Sequence, residues 1–264
     1  MLEKDFPKIF TSWFPGHMAK SIKEIQQISR FVDFWFEIVD ARAPFSSRGT
    51  LFEKIKSEKP IALVLSKCDL ADDSITDSWI SYFKKKKVFC IKSTKTKNLK
   101  NILNNIVVHL NIKKKFSNYY SAVVGIPNVG KSYFINKLAC NKKLKVENQA
   151  GITKQLNWIS CGKFNICDTP GILPTKIDDD FAKNLLYLGL IKENIIDCEQ
   201  ISLNLISKLY PNENPNEFLG IFAKSNGCLS PGGNLDIERA SKLFLKKFRN
   251  GDLGKISLES PILY

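Results

Sequence analysis

A glycine-rich segment at residues 125–132, GIPNVGKS, most constrains how this chain can fold. It fits the phosphate-loop pattern G-x-x-x-x-G-K-S, follows an apolar run at 120–124 and precedes a helix-like run at 133–138. In this context of strand, loop and helix, the backbone N–H groups of the loop face a nucleotide phosphate. Lys131 would neutralise phosphate oxygens, and the Ser132 hydroxyl would ligate Mg²⁺.

Two later segments predict the rest of the phosphate and metal site. Asp168 ends a second apolar run, 164–167, and its carboxylate is expected to hold Mg²⁺ through water. Gly171 allows its backbone N–H to approach a γ-phosphate. Thr153 is the candidate for a second protein ligand to the metal, an assignment that rests on its position between the other two motifs.

A third motif predicts which base is bound. Residues 66–69, SKCD, follow a strand-like run at 61–65 and form an imperfect N-K-x-D pattern. The Asp69 carboxylate can accept two hydrogen bonds from guanine N1 and N2, which adenine cannot offer. The Lys67 stem would lie along the ring. Ser66 replaces the usual asparagine, so we expect the loss of an amide that would bond the base and brace the phosphate loop.

A weaker signal follows the strand-like run 88–91. Ser93 and Thr94 begin a tripeptide similar to the S-A-K loop, whose backbone N–H meets guanine O6. The tripeptide alone carries little weight, and only its place in the order of motifs supports the assignment.

The order of the motifs indicates that the domain is rearranged. In an ordinary small GTPase the phosphate loop leads and the base motif trails, whereas here the base motif comes first and the metal-binding aspartate last. We therefore predict an α/β fold: a circularly permuted P-loop GTPase domain with a doubly wound, mostly parallel sheet and an N-terminal helix, over residues 1–175. Helical spacing predicts a small all-helical domain over 176–264, with helices at 181–196, 201–209 and 235–248.

Three further segments carry a family resemblance: 13–20 (WFPGHMAK), 40–48 (DARAPFSSR) and 248–256 (FRNGDLGKI). With the permuted order, they resemble the ribosome biogenesis GTPase A (YlqF/RbgA) family of the TrmE-Era-EngA-YlqF-septin superfamily. The resemblance implies a GTP-hydrolysing, Mg²⁺-using factor that binds the maturing large ribosomal subunit and its rRNA late in assembly. It also implies a location in the bacterial cytoplasm, with the organellar matrix as the alternative.

Catalysis lacks one expected residue. The position after Gly171, where many small GTPases carry a glutamine that orients the attacking water, is Ile172, which cannot form a side-chain hydrogen bond. In the resembling family, the histidine of the W-F-P-G-H motif is the proposed substitute, and this role carries over to His17. The alternative for His17 is a structural residue at a helix start, packed beside Trp13 and Phe14.

Asn128, Val129 and Gly130 form the turn of the phosphate loop and are predicted to contact the nucleotide. In related GTPases, an asparagine at the first of these positions helps to hold a K⁺ ion, which supplies the positive charge of an arginine finger. Asn128 is therefore a candidate K⁺ ligand, and an ordinary loop residue is an equally good reading.

Positive charge is concentrated in the first part of the chain. The net charge is +14, and residues 1–173 carry 29 Lys and Arg against 14 Asp and Glu, whereas 174–264 carry 11 against 12. Lysine runs at 84–87, 113–115 and 142–145 indicate binding to a phosphate backbone, although a solvated surface is the default reading of each run.

In the C-terminal part, Arg249 and Lys255 flank a glycine turn and are predicted to contact RNA phosphates, with Lys246 and Lys247 as helpers. The alternative is solvated charge at a helix end.

The chain also excludes some classes of protein. No apolar stretch reaches the ~18 residues of a membrane span, and the charged start is not a secretory signal. Seven cysteines without a C-x-x-C pair indicate reduced thiols. We expect a cytoplasmic monomer with no membrane or DNA partner.

The predicted function is a GTPase whose switch times its binding to a maturing large ribosomal subunit. The alternative is a nucleotide-gated RNA-binding scaffold in which hydrolysis is incidental because Ser66 has weakened the site. A GTPase acting on tRNA is a third option, but no modification-domain signature is present.

Overall fold

The computed structural model describes seven stretches of the chain: 16–48, 59–93, 99–113, 118–139, 158–173, 179–191 and 197–263. In these stretches, six strands form one sheet: β1 (Phe34–Asp40), β2 (Ile61–Ser66), β3 (Phe89–Lys92), β4 (Tyr119–Val124), β5 (Trp158–Cys161) and β6 (Phe164–Asp168). Their spatial order is β3-β2-β1-β4-β6-β5, and every pair is parallel except β5 with β6. The predicted, mostly parallel sheet is confirmed.

Helix α1 (Gly16–Ile28) precedes β1, and three further helices lie between the strands in sequence: α2 (Asp73–Lys85), α3 (Leu99–His109) and α4 (Lys131–Ala139). Helix α2 begins where Asp72 caps it, because the carboxylate accepts from the backbone N–H of Ile75. No helix in the described stretches has both the length and the apolar composition to cross a bilayer.

Alternate residues of the central strands pack into two separate hydrophobic clusters. Ile38 and Val64 belong to the larger cluster, whereas Val39 and Leu65 belong to a smaller one with Trp79 of α2. Since neighbouring side chains of a strand point to opposite faces, both faces of the sheet are buried. This is the packing expected of a doubly wound sheet.

Four helices and a short 3₁₀ turn follow the sheet: α5 (Asp179–Tyr187), α6 (Cys198–Leu209), α7 (Pro215–Ser225), α8 (Ile237–Asn250) and the turn Pro261–Leu263. Leu185, Leu205 and Phe244 join the larger cluster of the sheet, so these helices share its hydrophobic core. An isolated bridge pairs Leu229 with Leu235 where only helices were predicted.

The two largest differences from the predicted helices are an early helix end and a helix that was not predicted, whereas the helices predicted at 201–209 and 235–248 differ by two or three residues at their ends. The helix predicted at 181–196 ends at Tyr187, because Gly189 adopts a left-handed φ of +66° and a Cβ there would lie 3.0 Å from Arg249 Nε. Helix α7 was not predicted. Its signal was present, since Asn214 caps the backbone N–H groups of its first turn and Pro215 stands at the first helical position.

The last residues of the chain return to the sheet half. After α8, the N–H of Ile256 donates to Leu70 O at 3.1 Å, and the N–H of Leu258 donates to Arg42 O at 2.7 Å. Glu259 is 3% exposed and accepts from the backbone N–H of Phe45 at 2.8 Å. The segment that follows α8 therefore packs on the predicted GTPase domain, on the other side of the predicted boundary at residue 175.

Candidate nucleotide-binding site

The glycine-rich loop joins β4 to α4, as the strand, loop and helix pattern predicts. Asn128 and Gly130 have left-handed φ values of 58° and 106°. The loop therefore curls around Lys131, whose Nζ donates to Gly125 O at 3.1 Å and to Ile126 O at 2.8 Å. Two successive carbonyl oxygens thus hold the ammonium, and left-handed residues in a loop of this kind let its backbone N–H groups form an anion-binding site.

Lys131 and Asp168 meet at the ends of β4 and β6. Burial lowers the pKa of Lys131 to about 8, and the nearby Asp168 carboxylate opposes this shift. Burial also raises the pKa of Asp168, against the effect of Lys131. Burial therefore disfavours the charged forms of both Lys131 and Asp168. A phosphate beside the lysine, or a cation beside the carboxylate, would offset part of this energetic cost.

The segment after β6 packs directly on the phosphate loop. Thr169 Oγ1 donates to Val123 O at 2.7 Å, and the N–H of Ile172 approaches Gly125 O at 3.3 Å. A Cβ on Gly171 would lie 2.8 Å from the backbone N of Pro127, so this position has room only for glycine. The structure thus brings together the two phosphate motifs that the sequence separates.

The base motif begins at the end of β2 and is tied to β1. Lys67 has a left-handed φ of 53°, and its Nζ lies 3.0 Å from Asp40 Oδ2. Arg42 also pairs with Asp40, with Nε 3.0 Å from Oδ1 and Nη2 3.0 Å from Oδ2. Burial acts to raise the pKa of Asp40, but Arg42 and Lys67 together hold it below its usual value. This ion cluster orients the lysine of the base motif.

The expected loss of a brace at Ser66 is wrong. Ser66 Oγ lies 2.6 Å from Val129 O in the phosphate loop and 2.8 Å from Val39 O at the end of β1. Its side chain also faces Gly130, where a Cβ would lie 3.4 Å from Ser66 Cβ. Strands β1, β2 and β4 end at the same edge of the sheet. The short Ser66 hydroxyl therefore reaches the phosphate loop, which the longer asparagine amide was expected to support.

Replacing Ser66 with alanine should lower the free energy of unfolding by about 1 kcal/mol, because the buried carbonyls lose their hydroxyl partner. The same change should weaken GDP binding, since Val129 O is no longer held. Urea unfolding and calorimetric titration measure the two effects. Ser78→Ala, an exposed hydroxyl bonded within α2, is the matched control. Equal unfolding free energies and equal GDP affinities for the two variants would show that the Ser66 hydroxyl does not support the phosphate loop.

A cavity of about 620 Å³ opens between the base motif and the phosphate loop. Its wall contains Asp69 and Ser93, both predicted to meet guanine, and Tyr133 at the start of α4. Ser93 Oγ is buried without a hydrogen-bond partner among the described residues, although its backbone N–H donates to Leu65 O. The cavity therefore has a carboxylate acceptor in its wall, together with a serine whose hydroxyl is not used within the described residues. Thr94 lies outside the described residues.

Two other predicted site residues also lie wholly or partly outside the described part. Thr153 is not among the described residues, and His17 is described only by its backbone, in the first turn of α1.

The predicted RNA contacts fall into different environments. The prediction that Arg249 contacts RNA is corrected, because its side chain is used inside the protein. Its Nε donates to Tyr187 O at 3.0 Å and its Nη2 to Leu186 O at 2.7 Å, so it joins α8 to the end of α5. Lys247 Nζ lies 2.6 Å from Asn226 Oδ1. Lys246 is exposed on α8. Lys255 lies on the wall of the cavity beside the base motif and not on an open helix end.

Sequence reasoning did not assign Asp40, Arg42, Lys92 or Tyr133 to this site. A usable signal existed for the first two, because they follow a buried strand and the carboxyl ends of adjacent parallel strands meet at one edge of a sheet. Tyr133 carried no signal, since an aromatic residue in the first turn of a helix is most simply read as part of the core.

A curled phosphate loop, an adjoining glycine segment and a carboxylate in the base cavity together define a P-loop GTPase whose base motif precedes its phosphate loop. Residues 120–219 match the family model described as "50S ribosome-binding GTPase". The ribosome biogenesis GTPase A of Bacillus cereus is 36% identical, over 94% of this chain and 93% of that protein. That of Thermotoga maritima is 36% identical, over 95% and 94%.

A solved GDP-bound structure of TM YlqF superposes with a TM-score of 0.72 at 31% identity, covering 90% of this chain and 99% of that one. The chain belongs to the ribosome biogenesis GTPase A (YlqF) family. The predicted permuted GTPase fold, the GTPase activity and the role in ribosome biogenesis are thereby confirmed.

Proposed function

We propose that this GTPase uses Mg²⁺ and times its residence on a maturing large ribosomal subunit, in contact with rRNA, in the cytoplasm of a bacterium. The observation that carries the proposal is Ile172. This residue is 9% exposed, and its backbone is bonded to the phosphate loop. An apolar side chain turned into the core cannot orient a water, so intrinsic hydrolysis is slow until another group is supplied.

His17 supports this proposal as the group that orients the water, because α1 carries it in its first turn and the family resemblance assigns the role to this position. In this scheme, contact with the ribosomal subunit brings His17 into its working place. The subunit then acts as the activator, so GTP is hydrolysed rapidly only when the protein is bound to the subunit.

Exposed lysines support an RNA partner. All four residues of the run 84–87, at the end of α2, are exposed, and so is Lys113 after α3. Lys246 adds an exposed cation on α8. These side chains are placed for phosphate contacts, which would be salt-dependent and indifferent to sequence. The description of the matching family, 50S ribosome-binding GTPase, favours the large subunit as the source of that RNA.

Mg²⁺ would be held directly by Ser132 and by Thr153 as the second protein ligand, and through water by Asp168. The hydroxyl and carboxylate oxygens are the hard donors that this ion prefers, and a nearby cation would stabilise the charged form of the half-buried Asp168 carboxylate. When bound, the ion neutralises charge on the β- and γ-phosphates. Asn128 remains the candidate K⁺ ligand in the phosphate loop.

The decisive measurement is GTP turnover with and without isolated large subunits, in K⁺ and again in Na⁺. Stimulation by the subunit should fall by about 10²-fold in His17→Ala, the size typical of a lost acid–base or water-orienting group. His109→Ala, the other histidine and an exposed residue of α3, should retain full stimulation.

A different pattern would identify the alternative. GTP-dependent binding to the subunit without any stimulation of turnover, in the wild type and in both histidine variants, would overturn the enzyme proposal in favour of a nucleotide-gated scaffold.

A further inference from the structure

The segment after α8 contributes a residue to the cavity in which the base motif lies. The wall of that cavity is built from the base motif, from Lys92 and Ser93 at the end of β3, and from the phosphate loop and the start of α4. Among the described residues that line it, Lys255 alone comes from the C-terminal part of the chain. The helical half thus reaches the nucleotide site directly.

Backbone contacts hold Lys255 in this place. The N–H of the next residue, Ile256, donates to Leu70 O at 3.1 Å, immediately after the base motif. Ser257 Oγ then accepts from the N–H of Asp72 at 3.2 Å. Two successive residues are therefore bonded to the loop that carries Asp69, so the position of Lys255 beside that loop is built into the fold.

The side chain of Lys255 is the most exposed of the three lysines on the cavity wall. Lys67 is 26% exposed and pairs with Asp40, and Lys92 is 27% exposed and pairs with Asp77. Lys255 is 50% exposed, and its Nζ lies 2.6 Å from a carboxylate oxygen of Asp73, itself 70% exposed. Because pairs between solvent-exposed side chains are weak, this ammonium can turn to a better acceptor at little cost.

Guanine offers such an acceptor. Its N1 and N2 hydrogens are the expected partners of Asp69, and one lone pair of O6 is expected to accept from the backbone N–H of the loop that begins at Ser93. This leaves the second lone pair of O6 and the N7 acceptor for a further donor. Adenine carries an amino group in place of O6, so a cation near this edge favours guanine. We propose that Lys255 donates to the O6/N7 edge of the bound guanine, and that the C-terminal segment thereby completes the base site. The inference rests on the assignment of this cavity to the guanine nucleotide.

The test is the affinity of the full chain for GDP and for ADP, measured by titration calorimetry on Lys255→Ala. GDP should bind roughly tenfold more weakly, as expected when a hydrogen bond from a charged donor is lost, and the preference for GDP over ADP should shrink with it. Lys224→Ala removes the same charge from an exposed site on α7 and should match the wild type. An unchanged unfolding midpoint for both variants establishes that the fold is intact.

Three other outcomes have distinct meanings. Wild-type GDP affinity in Lys255→Ala would overturn the inference while leaving the assignment of the cavity in place, provided that Asp69→Ala still weakens binding. Equal losses for GDP and ADP would place Lys255 on the ribose or phosphate and would also overturn it. No effect of Asp69→Ala on GDP binding would instead reject the assignment of the cavity itself.

Discussion

Arg42→Ala should lower the free energy of unfolding by roughly 3–5 kcal/mol, the cost of removing one partner of a buried ion pair. Asp40 is fully buried, the Arg42 side chain is 2% exposed, and both guanidinium contacts to the carboxylate are 3.0 Å long. The variant leaves a buried carboxylate with Lys67 as its remaining cation. Guanidinium unfolding of the two proteins at neutral pH measures the difference.

Acid should reduce this difference. Because Arg42 helps to hold the pKa of Asp40 below its unfolded value of 3.8, the stabilisation is present above that pH and is lost as pH falls through the folded value. Lys242→Ala, which breaks an exposed pair with Glu238, is the control and should not change the unfolding midpoint measurably. Equal midpoints for the two variants would show that the Asp40 cluster contributes nothing to stability.

Gly171→Ala should reduce GTP turnover by about 10²-fold, the loss typical of a misplacement of about 1 Å at a reacting centre. The added Cβ would lie 2.8 Å from the backbone N of Pro127 and 2.9 Å from Lys131 Nζ. The segment that carries Gly171 must therefore move away from the phosphate loop. GDP affinity should change less, because the expected contact of this residue is with the γ-phosphate.

Gly220→Ala is the matched control for that change. Gly220 lies within α7, and a Cβ there would meet Leu235 Cδ1 at an ordinary 3.7 Å. Alanine should stabilise this helix by roughly 0.5–1 kcal/mol and leave turnover unchanged. Full turnover in Gly171→Ala would mean that the close approach to the phosphate loop has no part in hydrolysis.

The buried ion cluster also connects the base motif to the helical half. Lys67 pairs with Asp40, Asp40 pairs with Arg42, and Arg42 Nη1 donates to Arg249 O at 3.2 Å. The Arg249 side chain continues to the carbonyl of Leu186 at the end of α5. Two of the segments that carry the family resemblance, 40–48 and 248–256, thus meet at one junction. Their residues hold the two halves together beside the base motif.

Much of the site was predictable because its signals are local. The phosphate loop, the Asp168 segment and the base motif each occupy a few consecutive residues between an apolar run and a turn, and the structure places all three at one edge of the sheet. The predicted parallel strands follow from runs of buried residues. What was missed at Ser66 and Arg249 depends on carbonyl partners that lie 62 or 63 positions away in sequence.

The sequence by itself determined the class of this protein, a GTPase with permuted motifs, and it predicted which residues bind phosphate, metal and guanine. Only the tertiary structure decided how the C-terminal segment is used. Lys255 is predicted as an RNA contact from its neighbours in sequence, but it lies on the wall of the base cavity. The reason is physical: hydrogen bonds from Ile256 and Leu258 to the loops after β2 and β1 fix that segment, and contacts between residues so distant in the chain leave no periodic or local pattern.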